Sequence, residues 1–183
     1  MIKVGITHGD INGIGYEVIL KTFADLRITE LCVPIIYGST KVAAYHRKAL
    51  EIQPVMFNLI DSPEGADVDK VNIINCVSDD VKVELGKSTP IGGEAAFKAL
   101  ERATEDLANG LIDVLVTAPI NKHNIQQDDF HFPGHTEYLE SKFGDEKTKS
   151  LMILAKDSLR VALVTGHLPL SKVPAAITKE KIV

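Results

Sequence analysis

Ile2-Lys3-Val4-Gly5-Ile6-Thr7-His8-Gly9-Asp10-Ile11-Asn12-Gly13-Ile14-Gly15 begins as a short β-branched apolar run, passes through a loop carrying three glycines, and ends where a helical pattern starts. Ile2 to Thr7 reads as a strand and Gly15 to Asp25 as a helix, so the stretch is a strand–loop–helix unit. The order then repeats, with Val33 to Tyr37 as a strand and Thr40 to Leu50 as a helix. Parallel strands need a crossover connection, and helices supply it, so this alternation predicts an α/β fold with a largely parallel sheet. Val55 to Ile60 and Val71 to Ile74 read as two further strands, separated by the turn-forming stretch Asp61-Ser62-Pro63-Glu64-Gly65.

Downstream, Ala96, Phe97, Leu100, Ala103 and Leu107 recur at steps of three and four, which predicts a helix over Gly93 to Asn109 with one buried face. Gly110 follows as a C′ residue. Ile112 to Val116 is an almost uninterrupted apolar run, the pattern of a central strand covered by helices on both sides, and Leu151 to Leu154 and Val161 to Val164 share that character. At the end, Thr178 can N-cap a helix with Glu180 in its first turn, yet only Lys181-Ile182-Val183 remain. A helix one turn long is not stable by itself, so the chain is expected to be a fragment of something longer.

Composition excludes several classes of function. The 183 residues are 45% hydrophobic, enough for a real core, which sets disorder aside. A formal charge of −5, with 25% charged residues of both signs, gives no basic surplus for nucleic acid. No stretch approaches the roughly 20 uncharged apolar residues that span a bilayer, and the N-terminus lacks a signal peptide's apolar core, so a cytoplasmic protein is expected. Cys32 and Cys76 belong to no CxxC pair and read as core residues.

Four segments offer chemistry. The loop His8 to Gly15 has the spacing G-x-x-x-G-x-G, which matches neither the dinucleotide fingerprint nor the P-loop. Two readings stay open for it: a ligand loop beside a helix N-terminus, or a tight turn with Asp10 or Asn12 as a cap. Thr117-Ala118-Pro119-Ile120-Asn121-Lys122 follows an apolar strand, where open α/β sheets bind ligands, and Lys122 there either meets an anion or simply opens a helix. Phe132-Pro133-Gly134-His135-Thr136-Glu137 leads from a turn into a helix, where imidazole, hydroxyl and unpaired amides converge on a phosphate or carboxylate, unless Thr136 merely caps and His135 lies on the surface. Thr165-Gly166-His167-Leu168-Pro169-Leu170 places His167 after another apolar strand, but one histidine is no metal site. His46, His123 and His131 read as bystanders.

In this order, the four segments resemble the 4-hydroxythreonine-4-phosphate dehydrogenase family of vitamin B6 and pyridoxal phosphate synthesis, whose members carry T-x-G-D-P-A-G-I-G, T-A-P-I-N-K, F-x-G-H-T-E and V-A-L-V-T-T-H-x-P-L. Ile11-Asn12 replace the proline-alanine, and Gly166 replaces the second threonine before His167. The resemblance implies a fold like the isocitrate and isopropylmalate dehydrogenases, with three-layer α/β/α domains. Residues 1–125 would then form an incomplete first domain and residues 126–183 the beginning of a truncated second.

The resemblance further implies a metal- and NAD- or NADP-dependent oxidoreductase, homodimeric at full length. Its substrate would be 4-phosphohydroxy-L-threonine, oxidised at C3 and decarboxylated to 3-amino-2-oxopropyl phosphate. His135 and Thr136 would contact this substrate, with Lys122 and Asp10 near it. His167 would be one of three ligands to zinc, cobalt, nickel, manganese or magnesium. The other two ligands would lie beyond this sequence, so the chain alone is expected to be inactive and to hold metal weakly. Rival readings are a dehydrogenase of threonate or erythronate 4-phosphate, an acyl or phosphate transferase of the same broad fold, and a non-catalytic module.

Overall fold

Lys3–Thr7 forms strand β1, hydrogen-bonded in parallel on both sides: to β2 (Val33–Gly38), with Gly5 opposite Ile35, and to β5 (Val114–Thr117), with Gly5 opposite Leu115. The computed structural model describes residues 1–78, 80–126, 130–145 and 148–182. Two further parallel strands, β3 (Phe57–Leu59) and β4 (Val71–Asn75), extend the sheet beyond β2, giving the order β3-β4-β2-β1-β5. The parallel α/β architecture expected from the alternation of strands and helices is therefore present.

Helices α1 (Gly15–Phe23), α2 (Thr40–Ala49) and α3 (Pro90–Ala108) make the crossovers. Strand side chains alternate between faces, and each face meets a different helix. Ile6, Ile36 and Ile73 pack with Ile19 and Phe23 of α1. Ile35, Tyr37 and Ile74 pack with Ala99 and Ala103 of α3. That is three layers, with the sheet in the middle. Each isoleucine buried there contributes about 1.5–3 kcal/mol. Ser39 and Thr89 cap α2 and α3, their hydroxyls accepting from Val42 N at 3.3 Å and Gly92 N at 3.1 Å. Gly110 leaves α3 with φ +69°, as its place after the helical pattern predicts.

Two strand readings need correction. The run Ile112 to Val116 is not a central, doubly covered strand: β5 stands at one end of the strand order, and Val114 and Val116 are 44% and 51% exposed. β2, buried at all six positions, is the strand that the helices enclose. Leu151 to Leu154 and Val161 to Val164 do not join the parallel sheet either. They overlap β6 (Ile153–Lys156) and β7 (Leu159–Ala162), an exposed antiparallel pair. Only Asp157 and Ser158 connect the two strands, and a two-residue turn cannot support a parallel crossover.

By compactness the chain divides into Met1–Leu139 and Glu140–Val183. Residues 126–139 thus go with the first unit, which holds the sheet and its helices. The second unit contains the β6–β7 hairpin and two short helices, α5 (Val173–Ala176) and α6 (Lys179–Ile182). A further helix, α4 (His135–Phe143), runs across this division.

Candidate functional site

The chain leaves β1 through α1 to β2 on one side, and returns from β4 through α3 to β5 on the other side of β1. The C-terminal ends of β1 and β5 therefore flank the point where the winding reverses, which is where open α/β sheets leave a crevice for ligands. Both sequence loops singled out for chemistry emerge there.

They are locked together. Ala118 N donates to Thr7 O at 3.1 Å and Asp10 N donates to Pro119 O at 3.0 Å. Gly9 sits between them with φ +70°, and a Cβ at that position would lie 2.3 Å from Pro119 O. Only glycine fits both the backbone angle and the approach.

Asp10 is buried, and both its carboxylate oxygens are engaged: Oδ1 accepts from Asn12 N at 2.9 Å, and Oδ2 from Asn124 Nδ2 at 3.1 Å. Asn12 is equally committed. Its Nδ2 donates to Thr89 Oγ1 at 2.9 Å, its Oδ1 accepts from Glu84 N at 2.7 Å, and its carbonyl accepts from Gly86 N at 2.9 Å. These bonds tie the β1 loop to the start of α3, so the segment is a tight turn. Neither Asp10 nor Asn12 caps α1, however: its N-cap is Ile14, which makes no side-chain cap bond, because both polar side chains are taken by other partners. Around them lies an open cavity of about 360 Å³, lined by Asp10, Asn12, Lys87, Ser88 and Asn121 among others.

Beneath the loop three rings stack. His8 lies 5.3 Å from Tyr16, and Tyr16 lies 5.2 Å from His46, centroid to centroid. His46, which reads as a bystander in the sequence, is buried and bonds Ile11 O through Nε2 at 2.7 Å. Tyr16 OH accepts from Ser39 N at 2.7 Å and donates to Ser39 O at 3.2 Å. Burial lowers the His8 pKa to about 4, with repulsion from His46 adding to it and the nearby Ala95 backbone opposing it. Neither His8 ring nitrogen reaches hydrogen-bonding geometry with a partner among the described residues.

The turn after β5 carries Lys122. Asn121 Oδ1 caps it, accepting from His123 N at 3.0 Å and Asn124 N at 3.4 Å, and Ile125 N closes it on Asn121 O at 3.2 Å. Lys122 is exposed and extends along the beginning of α4: a Cβ on Gly134 would stand 3.5 Å from its Cε and 3.8 Å from its Nζ. Gly134 precedes α4, His135 and Thr136 are its first two residues, and Tyr138 N donates to Gly134 O at 3.2 Å. An aromatic cluster seats this helix, with Tyr138 and Phe132 ring centroids 5.4 Å apart and both packed on Phe130.

His135 is half-buried and is not a surface residue. Its Nε2 is enclosed without a hydrogen-bonding partner among the described residues. Burial, and then the Lys122 ammonium, lower its pKa, which favours the neutral imidazole. Thr136 is exposed. The structure thus brings Lys122, His135 and Thr136 together at one helix N-terminus, where unpaired amides and the helix dipole favour an anion. Asp10 joins them through Asn124, a residue the sequence reading passed over. No local signal marks Asn124, because its partner is 114 positions away.

His167 lies in the second unit, exposed, with φ +54°. It follows an exposed hairpin and an irregular segment, not the buried strand that its apolar neighbours suggest. Among the described residues no group of three or more His, Cys, Asp or Glu is placed to hold a metal ion. One exposed imidazole does not make a divalent-metal site, for which three protein ligands are usual.

The fold and this loop cluster define a parallel α/β domain in which Lys122, His135 and Thr136 meet at the N-terminus of α4. Comparison with known proteins makes the class specific. A family model described as pyridoxal phosphate biosynthetic protein PdxA matches residues 30–183. A 4-hydroxythreonine-4-phosphate dehydrogenase of Bacteroides thetaiotaomicron is 58% identical over 181 residues, covering 99% of this chain and 49% of the relative. A putative D-threonate 4-phosphate dehydrogenase of Oceanobacillus iheyensis is 32% identical, covering 98% and 54%. The crystal structure of a 4-hydroxythreonine-4-phosphate dehydrogenase from Burkholderia phymatum superposes with a TM-score of 0.85 at 27% identity, covering 100% of this chain and 55% of its own. The chain belongs to the PdxA family, and it spans about half the length of the curated relatives it matches.

Proposed function

We propose that this chain supplies the substrate-anchoring half of a nicotinamide-dependent dehydrogenase that oxidises and decarboxylates 4-phosphohydroxy-L-threonine in pyridoxal phosphate synthesis. The observation that carries the reading is the convergence of Lys122, His135 and Thr136 on the first turn of α4. An anionic group of the substrate docks there. The first-turn amides and the Thr136 hydroxyl donate to its oxygens, while the Lys122 ammonium balances its charge. His135, held neutral, donates one hydrogen bond without adding a second cation. Asp10 backs this wall by fixing the turn that carries Lys122. Anchored in this way, the substrate presents its C3–OH for oxidation.

Bound NAD or NADP supplies the hydride acceptor, and no described residue is assigned to it. A divalent ion would polarise the C3 oxygen, but this chain offers it only His167, so no step here runs through it. We read the whole protein as a cytoplasmic homodimer. No helix among the described residues is long and apolar enough to cross a membrane. A second reading, oxidation of threonate 4-phosphate, draws on the Oceanobacillus relative and uses the same anchor, because both substrates carry a phosphate.

The test is NAD(P) reduction by the full-length protein with each phosphorylated acid. Lys122→Ala should raise KM by about tenfold or more, the scale of one lost charge-assisted contact, with thermal stability unchanged because Lys122 is exposed. A large drop in melting temperature with unchanged kinetics would make the lysine structural.

A further inference from the structure

We propose that Asn124 is a positioning residue: its hydrogen bond to Asp10 sets the turn 121–125 so that Lys122 lies along the first turn of α4. The inference rests on the anion-anchoring reading above and adds to it the element that aims the lysine.

Asn124 is 8% exposed, and its Nδ2 donates to Asp10 Oδ2 at 3.1 Å, the only side-chain bond across to the β1 loop that this turn makes among the described residues. Its Oδ1 has no partner among them. On the other side Gly93 presses against its main chain: a Cβ at Gly93 would lie 1.9 Å from Asn124 O, so α3 leaves the turn no room to retreat. At its far end the turn is held by Gln126, whose Nε2 donates to Lys122 O at 3.4 Å and to Phe132 O at 2.8 Å, tying it to the segment that leads into α4. The Lys122 side chain itself is exposed and four methylenes long, so its aim depends on where its Cα is held. Without the Asp10 bond, the turn keeps its Asn121 cap but loses its fixed relation to the β1 loop. Displacements on the order of 1 Å are enough to spoil such a contact.

The amide is required for a second reason. Asp at position 124 would set two carboxylates against each other, whereas exchanging the pair, Asp10→Asn with Asn124→Asp, restores the bond with its donor reversed and still leaves an oxygen for Asn12 N.

The test titrates inorganic phosphate into the isotope-labelled 183-residue chain and follows the His135 and Thr136 amides together with the His135 ring. Asn124→Ala should weaken phosphate by about tenfold at most, the range of one net hydrogen bond, and should raise the His135 titration midpoint as the ammonium drifts away. On a Lys122→Ala background the same substitution should have no further effect, which separates positioning from general loosening. Asn124→Asp alone should weaken phosphate, and the exchanged pair should recover it to within about twofold; this comparison also stands if Asn124→Ala fails to fold. No phosphate response in the unsubstituted chain overturns the anchoring reading and this inference together. Response in the unsubstituted chain with equal affinity in Asn124→Ala, or equal losses with and without Lys122, overturns this inference alone.

Discussion

Acid should destabilise this domain through His8, and the size of the effect follows from where the ring sits. His8 is fully buried, stacked on Tyr16, and its pKa is lowered from 6.5 to about 4 by burial. The folded state therefore binds fewer protons than the unfolded chain between these values, and stability must fall as pH falls through that window. With an unfolded value of about 6.5, the linkage relation gives a loss near zero at pH 7, about 2 kcal/mol at pH 5 and about 3 kcal/mol at pH 4. His46, also lowered chiefly by burial, acts in the same direction, so the His8 share must be isolated by difference. His8→Phe keeps a ring against Tyr16 and removes the titration. Urea unfolding followed by circular dichroism at pH 7, 6, 5 and 4.5 should show a shallower decline in the variant, by about 2 kcal/mol between pH 7 and 5. Parallel declines, or a His8 ring proton resonance that titrates near 6.5 in the native protein, would refute the argument.

Gly9→Ala should destabilise by about 2 kcal/mol or more, since φ +70° and the 2.3 Å approach to Pro119 O both oppose a Cβ; chemical denaturation reads it directly. Thr89→Ala removes the α3 cap and the partner of Asn12 Nδ2 together, and should lower stability by about 1–3 kcal/mol with the cavity loop 84–89 losing hydrogen-exchange protection first. Tyr37→Phe deletes the 2.8 Å bond to the buried Asp106 carboxylate, leaving that oxygen with Arg102 alone at 3.2 Å, and should cost about 1–2 kcal/mol without affecting phosphate binding.

Periodicity alone determined much of this fold. The steps of three and four in Ala96, Phe97, Leu100 and Ala103 describe a helix that lays these residues on the sheet and on α4, and the β-branched runs at 3–7, 33–38 and 71–75 become neighbouring strands. Such patterns are local: they record which side of an element must leave water, and φ-demanding turns at Gly9 and Gly110 are local too. The family motifs, being contiguous, were likewise legible.

Only tertiary structure decided what lay across from each element. The run at 112–116 is as apolar as a central strand, yet β5 pairs on one side with β1 and exposes Val114 and Val116. The runs at 151–154 and 161–164 became an exposed hairpin because two residues join their strands, a matter of connection length that hydropathy does not register. The sequence leaves Asp10 open between a ligand contact and a cap; in the fold Asn12 and Asn124 take its oxygens. Nothing in the local sequence marks His8 for burial; the ring stack with Tyr16 and His46 encloses it and makes its protonation unfavourable. In each case the deciding partner lies elsewhere in the chain or in the closing of the fold, and burial and hydrogen-bond occupancy exist only once those segments meet.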